Sequence, residues 1–302
     1  MKSRILLLAG VALLIPAMRA DHPDFVVVSA TASKAYTQKK FVNGVPQPET
    51  YVFYQGKYFE GLTHDSSITQ MSFMDIAHIL APNLAKQNYL PTKDVKTADL
   101  LIVVDWGTTV RDESGDKTNQ EYQALLQDEQ AQVLILQQSH GHSIQAMNQL
   151  VNDQTQERAM AISIQKIARE NADLLGYTNT LNKETSGQWA SANGLNSDAE
   201  SHLSDLNMDR YFIILQAYDY QKILRDGKTV DAKRQPVWSV RMNIRADGNN
   251  FTEALPAMSR VAADFFGKQE DDLKTKETNI GKYQVEIGLV KVIKTGEDPL
   301  QK

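Results

Sequence analysis

The chain of 302 residues contains no cysteine. This absence excludes disulfide bonds, thiolate metal sites, cysteine nucleophiles and a lipid anchor on an N-terminal cysteine. The chain also lacks an excess of basic charge, because its formal net charge is −5. A negative balance provides no overall positive field for nucleic acid, so we expect no nucleic-acid partner.

Common catalytic and cofactor motifs are missing as well. The chain has no G-x-S-x-G, no H-E-x-x-H, no phosphate-binding G-x-x-x-x-G-K-[ST] and no G-x-G-x-x-G. His140 and His142 form the only close histidine pair, and no acidic ligand lies near them in sequence. We therefore assign no catalytic residue and expect neither a metal ion nor a cofactor.

The first twenty residues have the pattern of a secretory signal peptide. A short basic segment precedes the apolar run Ile5–Pro16, and small residues follow it up to Ala20. The run has 12 residues, whereas a spanning helix needs about 20. We predict cleavage near Ala20, a periplasmic or extracellular location, and no membrane span in the mature chain. Loss of 1–20 removes three basic residues and no acidic ones, which changes the charge from −5 to −8.

Strand and helix patterns are interspersed along the mature chain. β-Branched or alternating apolar runs predict strands at 25–33, 51–54, 99–104, 211–220, 237–246 and 283–289. Apolar residues at helical spacing from Phe73 to Leu84 predict a helix whose capping box is at 67–70, and a second helix begins at Asn250 or at Pro256. The segment 34–50 contains Asn43-Gly44 and predicts a turn or hairpin loop. We expect an α+β fold, with helices packed on a mixed, mostly antiparallel sheet.

The composition changes in the middle of the chain. Residues 119–157 contain 11 glutamines, and apolar residues at helical spacing follow over 144–175. We interpret 110–209 as a long helical insertion. It would divide an α/β body made of 21–109 and 210–293, with a polar tail at 294–302.

Asp105 is the first candidate binding residue. It follows the apolar run 99–104, and ligands of open α/β sheets gather at the carboxyl ends of strands. The alternative is structural, because an aspartate in Asp105-Trp106-Gly107 can bond its own backbone and turn the chain.

Asp219, Arg241 and Arg245 form the second candidate set. If 211–220 pairs with 237–246, Asp219 falls opposite residues 239–241, which allows a structural Asp–Arg pair worth about 0.2–1 kcal/mol. The alternative is that Arg241 and Arg245 form an anion-binding strip on the exposed face of a half-exposed strand, because guanidinium groups match carboxylates and phosphates.

One resemblance extends over about half of the chain. The segments KQNYLPTKDVKTADLLIVVDWGTT (86–109), VWSVRMNIRA (237–246) and NNFTEALPAMSRVAADFFG (249–267) occur in that order. The chain thereby resembles uncharacterised bacterial exported proteins and is similar to envelope lipoproteins of the domain-of-unknown-function kind. It departs from them in having Asn88-Tyr89 at the turn, the insertion, and no anchor cysteine. The resemblance implies an exported α/β domain and assigns no catalytic residue.

Together these patterns predict an exported, non-enzymatic, envelope-associated protein that binds another protein or an envelope component, with 110–209 as the contact region. The alternative is a hydrolase or small-ligand binder that uses Asp105 or the Arg241/Arg245 face. A polar pocket that collects Asp105, His64 and Asp219 would favour the alternative. An exposed apolar stripe on 110–209 would favour the binding protein. No oligomeric state is predicted.

Overall fold

The centre of the molecule is a seven-stranded mixed sheet. The computed structural model describes residues 24–61, 65–109, 127–128, 130–139, 143–186, 197–226, 235–278 and 280. The strands are β1 (Asp24–Ala32), β2 (Phe41–Val42), β3 (Val45–Pro46), β4 (Glu49–Phe59), β5 (Tyr89–Pro91), β6 (Leu100–Thr108), β7 (Arg210–Asp219), β8 (Trp238–Arg245) and β9 (Lys274–Thr278). The sheet order is β5-β4-β6-β7-β8-β1-β9, and β2 and β3 form a separate hairpin.

The predicted α+β class is confirmed. Within the large sheet β4 runs parallel to β5 and β6, and the other four neighbouring pairs are antiparallel. The helices are α1 (Lys34–Lys40), α2 (Ser66–Thr69), α3 (Phe73–Ala85), α4 (Ile144–Leu175), α5 (Thr178–Glu184), α6 (Ser197–Leu206), α7 (Tyr220–Asp226) and α8 (Phe251–Ala262). Helices cover both faces of the sheet, so the strands bury side chains on both sides.

The first face of the sheet carries the main core. α3 and α8 pack there against alternate residues of the central strands, such as Val240 and Met242 of β8. α3 begins at Ser72, where a capping box with Asp75 satisfies early backbone N–H groups. α8 begins at Asn250, whose side chain accepts from the Thr252 amide. Sequence periodicity predicts both helices because it reflects this buried stripe. The capping box predicted at 67–70 is wrong, because Ser66–Thr69 form the separate helix α2.

The second face is covered by parts of the predicted insertion and by α7. Apolar residues near the end of α4, among them Ala172 and Leu175, pack with Leu181 of α5 on Val27 and Phe212 of the sheet. The described part of 110–209 is helical, but these residues complete the core of the body. The extent of the insertion as a separate unit stays a prediction.

A buried polar network fastens α5 and α6 to this face. Arg210 of β7 is 2% exposed. Its Nη1 donates to Asp205 Oδ1 at 2.6 Å, and its Nε donates to Asn243 Oδ1 at 2.5 Å. The Tyr177 hydroxyl donates to the same two side chains at 3.2–3.3 Å. The network therefore connects β7 and β8 with Tyr177, which precedes α5, and with Asp205 in the last turn of α6.

Several local predictions are wrong at this level. Residues 34–40 form α1 and not a loop, because Ser33 caps the Tyr36 amide. β4 continues past Gly56 to Phe59, and the described strand near the C-terminus is β9. The predicted signal peptide 1–20, the strand 283–289 and the tail 294–302 lie outside the described residues.

Candidate functional site

A strip of polar side chains crosses the middle of the second face. Asp105 of β6 pairs in register with Ile214 of β7, Ile214 pairs with Arg241 of β8, and Arg241 pairs with Ser29 of β1. These side chains point to one face, since directly paired residues share a face and residues two apart along a strand do too. We call this set the polar strip: Ser29, Thr31, Asp105, Gln216, Ser239 and Arg241.

The polar strip separates two apolar clusters on the same face. On one side Val27, Phe212 and Ile214 are covered by the end of α4 and by α5. On the other side Leu101 and Tyr218 are covered by α7. A covered sheet face is ordinarily apolar throughout, so a polar band between two helical covers marks a place where a ligand can lie.

Asp105 does not stand at the end of a strand as predicted. It lies inside β6, which continues to Thr108. Its Oδ1 accepts from the Lys57 amide at 2.6 Å, at the irregularity where the register between β4 and β6 shifts. A Cβ on Gly56 would overlap the same carboxylate. Asp105 therefore supports a β-bulge in the neighbouring strand, and not the chain turn that was its structural alternative.

Burial shapes the electrostatics of Asp105. Desolvation raises the pKa of its carboxyl group, and the Lys57 amide and the charges of Lys57 and Arg241 act in the opposite direction. Among the described residues, the Lys57 amide is the one group that donates a hydrogen bond to the Asp105 carboxylate. The other carboxylate oxygen remains available to a ligand on the polar strip.

Arg241 is a largely buried cation without an ion-pair partner among the described residues. Its Nη1 donates to Ser239 Oγ at 3.3 Å. Its Nε is buried and has no acceptor in the described part of the chain. Burial lowers the pKa of the guanidinium, against the attraction of the more distant Asp105, Asp173 and Tyr218. The predicted half-exposed strand is wrong in part, because Ser239 and Asn243 on this face of β8 are buried while Arg241 is partly exposed and Arg245 is exposed.

Asp219 and Arg245 are not part of this arrangement. The register pairs Gln216 with Ser239, so Asp219 lies beyond the end of β8 and opposite Leu100 of β6. Its Oδ1 accepts from the Lys222 amide in the first turn of α7. The predicted Asp219–Arg241 pair is therefore wrong. Arg245 is exposed, four residues along β8 from Arg241 and beside Arg210.

A pocket of about 330 Å³ adjoins the strip, and Ser29 and Thr31 line both. Gly176 forms part of its wall with a positive φ of 81°, where α4 ends. An added Cβ there would stand 2.5 Å from Ser29 Oγ and 3.1 Å from Arg241 Cδ. The left-handed glycine thus both ends α4 and lets the α4–α5 connection approach the strip closely.

Sequence patterns missed most of the strip. Arg241 and Asp105 were candidates by residue type, whereas Ser29, Gln216 and Ser239 were not. The sequence feature that indicates the strip is alternation: polar residues at 239, 241, 243 and 245 share one face of a predicted strand. Asp173 of α4 approaches Arg241 only through tertiary packing.

A second group of ionisable side chains is buried on the other side of the molecule. The Tyr36 hydroxyl donates to Glu49 Oε2 at 2.5 Å and lies 2.9 Å from the Tyr89 hydroxyl. Lys40 Nζ, on a fully buried side chain, lies 3.7 Å from Glu49 and 3.6 Å from the centre of the Tyr89 ring. Desolvation lowers the pKa of Lys40 to about 8. The groups are enclosed, so they affect stability and offer no ligand access.

Lys40 predicts a pH-dependent stability. Its pKa is lower in the folded chain, about 8, than the ordinary 10.5, so the unfolded chain binds more protons between these values. The free energy of unfolding should rise by about 1–2 kcal/mol from about pH 7.5 to about pH 9.5 through this group. Urea denaturation of the wild type and of Lys40→Met measures it, and the rise should be absent from the variant.

The matched control for this experiment is Lys39→Met. Lys39 also contacts Glu49, at 3.4 Å, but its side chain is 73% exposed. This variant should keep the rise in stability with pH. An equal pH response in Lys40→Met and wild type would contradict the assignment.

Other site classes have no support in the described residues. There, no three His, Asp or Glu side chains are grouped closely enough to hold a metal ion. His140 and His142 fall outside the described ranges. No helix in those ranges combines the length and apolar character needed to cross a bilayer.

Comparison with known proteins adds no relative. No protein-family model matches the chain, and no curated protein matches it either. The function has to be argued from the chain's own surface and its polar strip.

Proposed function

We propose that this chain is an exported, envelope-associated protein without catalytic activity of its own, and that it binds a protein partner through the first half of α4. The observation that carries the proposal is an apolar stripe on that helix. Ile144, Met147 and Val151 are 72%, 50% and 57% exposed. Their spacing of three and four residues places them on one side of the helix.

The stripe differs from the rest of the same helix. Near its end α4 buries its apolar residues on the sheet, whereas near its start it leaves these three exposed. Val133, Leu134 and Ile135, in the neighbouring helical stretch 130–138, are exposed too. Apolar surface concentrated in one part of a protein is typical of a binding site, while isolated exposed apolar residues are not.

The surroundings of the stripe favour a protein over a lipid surface. Residues 143–156 contain no lysine or arginine, and their polar side chains are mostly glutamine and asparagine. Helices that lie on membranes ordinarily carry basic residues on the polar face. Uncharged amides beside apolar residues suit an apolar groove on a partner protein, where they can bond to its backbone.

The hydrolase alternative has less support. It required Asp105, His64 and Asp219 in one pocket, and His64 lies outside the described residues. Asp105 and Asp219 lie far apart on neighbouring strands, and each carboxylate accepts from a backbone amide. Small-ligand binding at the polar strip has its own support and is developed in the next subsection.

Photo-crosslinking in cells tests the proposal. A crosslinking amino acid replaces the exposed Asn148 beside the stripe, in the wild-type chain and in the triple variant Ile144→Gln, Met147→Gln and Val151→Gln. We expect the wild-type chain to form a crosslink to one defined protein. The triple variant should not form this crosslink. Exposed substitutions of this kind change stability by only about 0.5 kcal/mol each, so the variant should fold.

Leu224→Gln is the matched control. Leu224 lies on α7 and is 45% exposed, so the variant removes a similar apolar side chain elsewhere. It should keep the crosslinked partner. Capture of the same partner by the triple variant would refute the proposal, and a crosslink only to a second copy would reassign the stripe to self-association.

A further inference from the structure

We propose that the polar strip binds a small zwitterion, either a free α-amino acid or a short peptide, with Arg241 as the partner of its carboxylate and Asp105 and Asp173 as the partners of its ammonium group. This site is separate from the apolar stripe. The zwitterion site does not depend on the proposed protein partner, and each is tested by its own experiment.

Arg241 forms no ion pair with a described residue. A largely buried guanidinium is ordinarily held by a carboxylate, because the loss of hydration is costly. Arg241 has one neutral acceptor, Ser239 Oγ at 3.3 Å, and no ion pair with a described residue. A ligand carboxylate would supply the missing partner, and the planar donor geometry of arginine suits it.

The charged groups of the polar strip are held apart from each other. Asp105 and Arg241 lie on β6 and β8, with Ile214 of β7 between them. Two strand spacings place their backbones about 9–10 Å apart. Asp105 is tethered to the Lys57 amide, and Arg241 to Ser239. The two charged groups lie on either side of the buried Ile214 and form no ion pair with each other.

The charges around Arg241 favour a ligand that carries both signs. Asp105 and Asp173 are the carboxylates whose charges act most on Arg241. A simple anion would be repelled by both carboxylates, and a simple cation would be repelled by the guanidinium. A ligand that carries both signs a few ångströms apart satisfies all three groups, and it does so in an environment where charges act strongly.

The strip also offers access and neutral contacts. The side chains of Ser29, Asp105, Gln216 and Arg241 are partly exposed, although helices cover the apolar clusters on either side. Gln216 accepts from the Tyr218 hydroxyl at 3.4 Å. Its amide nitrogen and the Ser29 hydroxyl can contact the remainder of the ligand. The pocket beside Ser29 extends the space in one direction.

A thermal-shift screen followed by calorimetry tests the site. The folded protein is screened against the twenty standard amino acids and L-alanyl-L-alanine, each at a concentration of about 10 mM. At least one of these probes should raise the unfolding temperature. Its N-acetyl and carboxamide derivatives, which each lack one charge, should bind more weakly by about tenfold or more. The dipeptide separates a peptide site from a free amino-acid site.

Variants assign the roles. Arg241→Gln should weaken the best zwitterion by about tenfold to a hundredfold and abolish its advantage over the carboxamide. Asp105→Asn, which keeps the oxygen that accepts from Lys57, should reduce the advantage over the N-acetyl derivative. Arg245→Gln changes an exposed arginine of the same strand and should bind as the wild type does.

The free energy of unfolding of Arg241→Gln distinguishes a ligand-binding role of Arg241 from a structural role. Because Arg241 lacks an ion-pair partner among the described residues, Arg241→Gln should leave the free energy of unfolding unchanged or raise it. Marked destabilisation would instead show an internal structural role. The proposal is also overturned if no probe binds, or if both singly charged derivatives bind as tightly as the zwitterion.

Discussion

Replacing Gly267 by alanine is expected to lower the free energy of unfolding by about 2–4 kcal/mol. Gly267 has a φ of +75°, and a Cβ there would overlap the Tyr89 hydroxyl. Tyr89 is fully buried and cannot retreat, because its ring packs on Trp238 with centroids 5.5 Å apart. Its hydroxyl also lies 2.9 Å from that of Tyr36. Backbone strain from the positive φ and steric overlap with Tyr89 therefore both destabilise the alanine variant.

Gly248→Ala is the matched control for Gly267→Ala. Gly248 has nearly the same φ, +78°, but no heavy atom lies within 4 Å of its added Cβ. Only the left-handed backbone is penalised there, at about 1 kcal/mol. Chemical denaturation of both variants isolates the steric part. Equal losses would mean that the packing around Tyr89 yields more readily than its contacts indicate.

Replacing Arg210 by methionine is expected to cost about 3–5 kcal/mol. The substitution removes two short hydrogen bonds and leaves the Asp205 carboxylate and the Asn243 amide oxygen with one shared donor, the Tyr177 hydroxyl. The penalty of these lost hydrogen bonds then falls on the contact between α6 and the sheet. We expect amide hydrogen exchange in α5 and α6 to accelerate more than in α3, which packs on the other face.

Arg245→Met provides the comparison for Arg210. Arg245 is the direct cross-strand neighbour of Arg210 but is exposed. Its replacement should change the free energy of unfolding by less than about 0.5 kcal/mol. A similar loss for both variants would show that net charge at this end of the sheet, rather than the buried network, determines stability.

The fold class was accessible from sequence because each central strand has its own signature. The run 100–104 is continuously apolar, and 237–246 alternates; both lie largely in strands of the sheet. The β4 extension was missed because Gly56 and the polar residues after it are typical of a turn. Its pairing is supported by the Asp105 carboxylate on the neighbouring strand, which no local pattern encodes.

The candidate site could be predicted from the sequence only in part. Asp105 and Arg241 were chosen separately, by residue type and strand position. That both lie on one strip depends on the β6-β7-β8 order and on their shared neighbour Ile214. The error in the Asp219 pairing has a specific cause. The chain after β7 forms the helix α7 instead of a turn directly back into β8, so the register moves by about three residues.

The position of β1 in the sheet has a consequence for the order of folding. It is the first strand of the large sheet, yet its two neighbours are β8 and β9, the last described strands; Val27, for example, pairs with Asn243 and Thr275. Such distant pairing makes loop closure slow. β1 has no partner until more than two hundred later residues have been synthesised. The large sheet therefore cannot be completed until synthesis has reached the last described strands.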